Sequence, residues 1–205
     1  MTTAASLQVA ILAFDDVETL DFAGPFEVFT TASRVLARSQ PERAPLFGVH
    51  CVARQRTPVR ARAGLQMLPD RTFADCPRAD VLIVPGGEVD AALACPDTLA
   101  WIRQVSATAQ ITASVCTGAF LLAASSVLTQ GRATTHWEDV ADLRQRHPQL
   151  DVVEGMRWVD DGGPVSSAGI SAGIDMCLHL VARIAGTELA TRTARQMDFA
   201  WTSNP

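Results

Sequence analysis

Buried apolar strands alternating with helix-patterned segments predict an α/β fold with a mostly parallel central sheet. Continuous apolar runs, Leu7 to Phe14 and Val81 to Val84, mark strands covered on both faces. Segments with apolar residues at helical spacing separate such runs. Ile111 to Val115 then passes into a helix through a one-residue corner occupied by Cys116, the pattern of a nucleophile elbow.

Taken in order, Asp15-Asp16 ends the first strand. Gly24-Pro25 opens a helix with Pro25 at its first position, and Phe26, Phe29, Ala32, Val35 and Leu36 form its apolar stripe. Leu46 to Ala53 reads as a strand, and Val59 to Met67 as a small hairpin or crossover around Gly64. Ala79 to Val84 is a buried strand stopped by Pro85-Gly86-Gly87. Asp97 to Ala107 is a helix after Pro96. Ile111 to Val115 is the strand before Cys116, and Thr117 to Ser126 its helix. Gly131 to Thr135 gives a short strand and Glu138 to Arg146 a helix. Val152-Val153, Arg157 to Val159 and Val165 to Ser167 are short strands, with a turn at Asp161-Gly162-Gly163. Ile170 to Ile184 and Thr187 to Arg195 close the chain as helices. The alternation implies right-handed crossovers and helices on both faces of the sheet. With no repeat or linker, residues 1–205 read as one domain.

Sites on such sheets gather outside the carboxyl ends of the strands. Phe14 to Asp21, Pro85 to Gly87, Cys116-Thr117, Thr135 to Trp137 and Ala168-Gly169 are therefore expected at one edge. At 48% hydrophobic residues, the 205-residue chain can bury a sizeable core. A net charge of −5 argues against nucleic acid. The arginines between Arg54 and Arg62 read as a solvated hairpin face. The first six residues show no secretory pattern, and no run approaches the ~18 apolar residues that span a bilayer. Five scattered cysteines without a CxxC support neither a disulfide framework nor a zinc site, which fits a reducing cytoplasm.

Cys116 carries the chemistry in this reading. A free thiol is commonly inert and buried. A thiol at a helix start loses its proton more easily, and the thiolate is the nucleophile. Cys51, Cys76, Cys95 and Cys177 are assigned to packing. Gly86 and Gly87 either end a strand or bring N–H groups to a ligand. With the Thr117 N–H they would form an oxyanion hole. Asp21 is either a helix-start cap or a partly buried proton donor and acceptor beside the thiol, its pKa raised. His136 is either a base for the thiol or a structural histidine. No two histidines stand at ligand spacing, and neither GxGxxG nor GxxxxGK[ST] occurs, so no metal or cofactor is expected.

Five ordered motifs resemble the ThiJ/PfpI superfamily of class I glutamine amidotransferase-like folds. They are Leu20-Asp21-Phe22-Ala23-Gly24-Pro25, Ile83-Val84-Pro85-Gly86-Gly87, Ser114-Val115-Cys116-Thr117-Gly118, Arg132-Ala133-Thr134-Thr135-His136-Trp137, and Ala168-Gly169-Ile170-Ser171-Ala172-Gly173-Ile174-Asp175. The resemblance is nearest to the isonitrile (isocyanide) hydratase branch. The ligand domains of AraC-type regulators share the Ser-Val-Cys-Thr-Gly and Thr-Thr-His-Trp pieces.

The resemblance implies a flavodoxin-like three-layer sandwich, a homodimer, a nucleophile at Cys116 and an acidic partner at Asp21. Thr117 stands where protease and glyoxalase-like members carry His, so a Cys-His-Glu triad is absent. The implied activity is hydration of a small isocyanide to an N-substituted formamide through a thioimidate on Cys116. Thr117 would orient substrate or water, and Gly86, Gly87, Gly169 and His136 would line the substrate or oxyanion site. Two rivals stand beside it: a non-catalytic domain sensing a ligand or oxidation at a low-pKa thiol, and hydrolysis of another small carbon–nitrogen substrate.

Overall fold

A computed structural model of the chain describes residues 5–76 and 78–205. Strand β1 (Leu7–Leu12) leads to helix α1 (Thr19–Ser39) and β2 (Phe47–Ala53). A hairpin of β3 (Val59–Arg60) and β4 (Gln66–Met67) follows, then β5 (Arg71–Thr72), β6 (Val81–Val84), α2 (Asp90–Leu93) and α3 (Pro96–Ser106). Next come β7 (Ile111–Val115), α4 (Gly118–Ala124), β8 (Gly131–Ala133), α5 (Val140–Arg146) and β9 (Leu150–Val152). The chain closes with β10 (Trp158–Val159), β11 (Val165–Ser167), α6 (Ala172–Ala185) and α7 (Thr187–Gln196).

Seven strands form the main sheet in the order β10-β11-β7-β6-β1-β2-β5. Every pairing is parallel except β10 with β11. Alternate residues of each central strand enter opposite cores. Val9, Ile11, Val81 and Ile83 pack toward α1, α6 and α7. Ala10, Leu12, Leu82 and Val84 pack toward α3, α4 and α5. That double burial is why these strands read as unbroken apolar runs. The result is the flavodoxin-like three-layer sandwich.

From β1 the chain turns outward to β2, and from β6 it turns the other way to β7. The two turns diverge above the neighbouring strands β1 and β6, which opens a crevice at their carboxyl ends. Val17 bridges Gly87 there, and the Glu18 N–H donates to Gly86 O at 2.9 Å. The β3–β4 hairpin braces the loop: Asp16 N–H donates to Arg60 O, and Arg62 N–H to Val17 O.

Some boundaries differ from the sequence reading. Helix α1 begins at Thr19, so Pro25 lies inside it rather than at its first position. The earlier start winds Asp21 into the first turn and aims its carboxyl at Gly86. Helix α6 begins at Ala172 because Ile170 has φ +46°, a left-handed conformation that cannot continue into a right-handed helix. The two-residue β5 and the one-turn α2 lack the length that makes a pattern visible. Leu82 is fully buried in the central strand β6. Leu82→Ala should lower stability by about 2–5 kcal/mol, read from urea unfolding.

Candidate active site

Cys116 sits between β7 and α4 with φ +57°, a left-handed conformation costing about 1–2 kcal/mol for a residue with a Cβ. Both of its backbone groups are held. Its N–H donates to Ser167 O at 3.1 Å, and its carbonyl accepts the Thr135 hydroxyl at 2.9 Å. Thr117 follows, and its hydroxyl joins the corner to the Pro85-Gly86-Gly87 turn. It donates to Gly87 O and accepts from Gly87 N–H, each at 2.9 Å. Gly86 packs so close that a Cβ there would collide with Thr117 N and Oγ1.

Asp21 is completely buried. Oδ2 accepts the Gly86 N–H at 3.1 Å, while Oδ1 has no hydrogen-bond partner among the described residues. Burial pushes the Asp21 pKa up to about 7. The Gly86 amide draws it back, Glu18 adds to the rise, and the Cys116 thiol and Ile170 amide favour the charged form. Burial likewise pushes the Cys116 thiol up to about 12, with the Asp21 charge adding to it and the Thr117 amide opposing it. The easier deprotonation expected from the helix start is overturned, because sealing a thiolate beside a carboxylate outweighs one nearby amide. The pair holds two protons below about pH 7 and one above it.

The expected oxyanion hole is also redrawn. The Gly86 N–H is committed to Asp21 and the Gly87 N–H to Thr117, so neither glycine amide is free for an anion. His136 does not pair with the thiol. Its Nδ1 faces Asp139 at 3.4 Å and Glu138 at 3.7 Å, and no hydrogen bond among the described residues joins it to Cys116. Gly169 lies flat against the imidazole, where any side chain would overlap the ring. Beside the corner runs a groove of about 530 Å³ lined by His136, Trp137, Met156, Arg157, Gly169 and Ile170. Thr135, Arg157 and Ile170 were given no role from sequence, although Thr135 and Ile170 lie within the quoted motifs. Among the described residues, no cluster of three or more His, Cys, Asp or Glu could hold a metal ion. No helix among them is long and apolar enough to cross a membrane.

A sequence model of the DJ-1/PfpI family matches residues 7–183. The chain belongs to the DJ-1/PfpI family. It is 36% identical to an isonitrile hydratase of Pseudomonas putida, over 95% of this chain and 79% of that protein. It is 29% identical to the HTH-type transcriptional regulator CdhR of Pseudomonas aeruginosa, over 82% of this chain, and the match spans 50% of the regulator. A solved THiJ/PfpI family protein from Pseudomonas syringae superposes with TM-score 0.84 at 27% identity, covering 98% of this chain and 78% of that one. Drosophila melanogaster DJ-1beta shares the fold, with TM-score 0.80 at 19% identity, covering 96% of this chain and all of that one.

In this DJ-1/PfpI chain the segments expected at one sheet edge do meet: Asp21 with Gly86, Gly87 with Thr117, Thr135 with Cys116, and Gly169 with His136. The packing role assigned to Cys95 is corrected. Cys95 is partly exposed at the start of α3, and its pKa is lowered by the Thr98 hydroxyl, then by the Thr98 and Asp97 amides and Arg54.

Asp21 binds its proton more tightly in the folded chain than in the unfolded one. Its ionisation therefore opposes folding: the penalty is absent below about pH 4 and grows until about pH 7, reaching about 4 kcal/mol. Asp21→Asn keeps an acceptor for Gly86 and carries no charge. It should unfold at higher urea than the parent at pH 8, with the gap closing toward pH 4. Equal midpoints at pH 8 would contradict the burial argument.

Proposed function

We propose that the chain hydrates isocyanides to N-substituted formamides, with Cys116 as nucleophile and Asp21 as its proton acceptor and donor. The observation that carries this reading is the buried Asp21 carboxyl at the Cys116 corner, with Oδ1 unpartnered and titration near neutrality. The 36% identity to an isonitrile hydratase supports it.

An isocyanide carbon is both a weak base and an electrophile, so it needs a proton and a nucleophile together. Asp21 accepts the thiol proton as sulfur bonds to the terminal carbon, then delivers that proton to the same carbon. The product is a thioimidate, S–CH=N–R. Water adds across the C=N bond, its oxygen to carbon and a proton to nitrogen. The tetrahedral species collapses by breaking C–S. The hydroxyl proton returns to sulfur through Asp21, and R–NH–CHO leaves. Covalent catalysis divides one difficult hydration into two steps. Thr117 fixes the corner through Gly87 and points its amide toward the sulfur. His136 shapes the groove wall.

The reactive state carries one proton on the Cys116–Asp21 pair. Thus kcat/KM should rise with pH to a plateau above about 7, where the second proton has left. Cys116→Ala should abolish formamide production from para-nitrophenyl isocyanide. Asp21→Asn should lower it by about 100-fold or more and remove the step near pH 7. Chromatographic assay of the formamide checks all three, and parent-rate turnover by Cys116→Ala would end the proposal.

The match to half of a transcription regulator favours a second reading, in which the groove binds a ligand without turnover. Failure to hydrate any isocyanide, with ligand binding retained, would favour it. Oxidation sensing loses its premise, since the Cys116 thiol is pushed up rather than down.

A further inference from the structure

The groove beside Cys116 contains one strong donor group that the protein leaves open. Arg157 precedes β10, and its carbonyl accepts the Ala168 N–H at 2.9 Å, which places it opposite the Ala168-Gly169 wall. Its guanidinium is fixed by Asp175. Nε and Nη2 donate to Asp175 Oδ2 at 2.6 and 2.5 Å. Asp175 is itself fully buried, and its Oδ1 accepts the Thr202 N–H at 2.7 Å. Arg157 is thereby held in one pose, its Nη1 without an acceptor among the described residues.

Most other polar side chains of the groove are committed. Thr134 donates its hydroxyl to Val153 O, Thr135 to Cys116 O, and Glu154 pairs with Arg144 at 2.6 Å. The remaining walls are the His136 imidazole, whose Nδ1 faces Asp139 and Glu138, and apolar surface: Trp137 is 76% exposed at the rim, with Met156 and Ile170 beside it. An apolar slot ending in a pre-fixed guanidinium suits a ligand with an apolar body and a planar anionic end. Arginine's planar fork matches a carboxylate, and a donor already locked in place loses little entropy on binding.

We propose that Arg157 determines specificity and that the substrate is an isocyanide bearing a carboxylate remote from its reacting carbon. This rests on the hydratase reading above. Asp175 acts as the positioning residue, and Ile170 links the groove to the reacting pair, since its amide also faces Asp21.

The test has two arms. Aryl isocyanides with and without a para carboxylate are compared by kcat/KM. Benzoate and its neutral isostere benzamide are compared by calorimetry, which needs no turnover. The parent protein should favour the carboxylate member by about tenfold or more in both arms, as one charge-assisted hydrogen bond allows. Arg157→Met should bring both ratios close to one, and Arg157→Lys should retain part of the preference. If Arg157→Met fails to fold around an unpaired Asp175, the Arg157→Met/Asp175→Asn double variant removes both charges and gives the same reading. No preference in the parent protein, or a preference unchanged in the variants, overturns the proposal. An Arg157-dependent benzoate preference without isocyanide turnover would overturn the hydratase reading and leave the carboxylate site standing.

Discussion

A carboxyl group sealed from water beside a thiol on a left-handed corner is costly to build, and the carboxyl edge of the sheet is organised around holding it. Burial of Asp21 opposes folding by about 4 kcal/mol at neutral pH, and the Cys116 conformation adds about 1–2 kcal/mol. Against a typical net stability of about 5–15 kcal/mol these are large terms. The two apolar layers offset them. Locally, Ser167, Thr135 and the Gly86-Gly87 turn hold the corner from three separate segments. Each contact is backbone to backbone, or backbone to a short side chain. That leaves little freedom for the sulfur or the carboxyl to relax apart.

The topology explains why the segments around the corner can meet. Parallel strands put successive carboxyl ends on the same side, and divergence of the connections above β1 and β6 leaves a gap there. Asp21 reaches the gap from the first turn of α1, and Gly86 and Gly87 from the end of β6. Cys116 arrives on the end of β7, and Ser167 on the end of the adjacent β11. No long loop is needed. Precision comes from the strand register, in which Val115 pairs with Ser167 and Val84 with Ser114.

Much of this was legible in the sequence. The runs at Leu7 to Leu12 and Ile111 to Val115 stood out because both of their faces are buried. Gathering the motifs at one edge required only the parallel order. Other features depend on direction, which a sequence does not state. Gly86 and Gly87 were rightly placed by the corner, but their N–H groups point at Asp21 and Thr117 instead of at a ligand. Pro25 looked like the start of a helix because proline is common there, whereas the helix begins at Thr19 and carries Pro25 inside it. Arg157 passed unnoticed because its partner, Asp175, lies eighteen positions further along and its importance arises only from their contact.

Cys95 and Cys116 show how far a local rule carries. Both thiols stand where a helix begins, and a rule based on helix amides lowers both pKa values. At Cys95 the rule holds, because water still reaches the thiol and Thr98, two amides and Arg54 favour the charged form. At Cys116 it fails, because burial and a neighbouring carboxylate act in the opposite direction and are stronger. The thiol on the elbow is therefore the less acidic of the two. An elbow alone does not make this cysteine a nucleophile; in the proposed mechanism it passes its proton to a base at the moment of attack. Asp21 is buried against it, carries an unpartnered oxygen, and titrates near neutrality. The same burial that makes the thiol reluctant to ionise makes the carboxyl able to receive its proton.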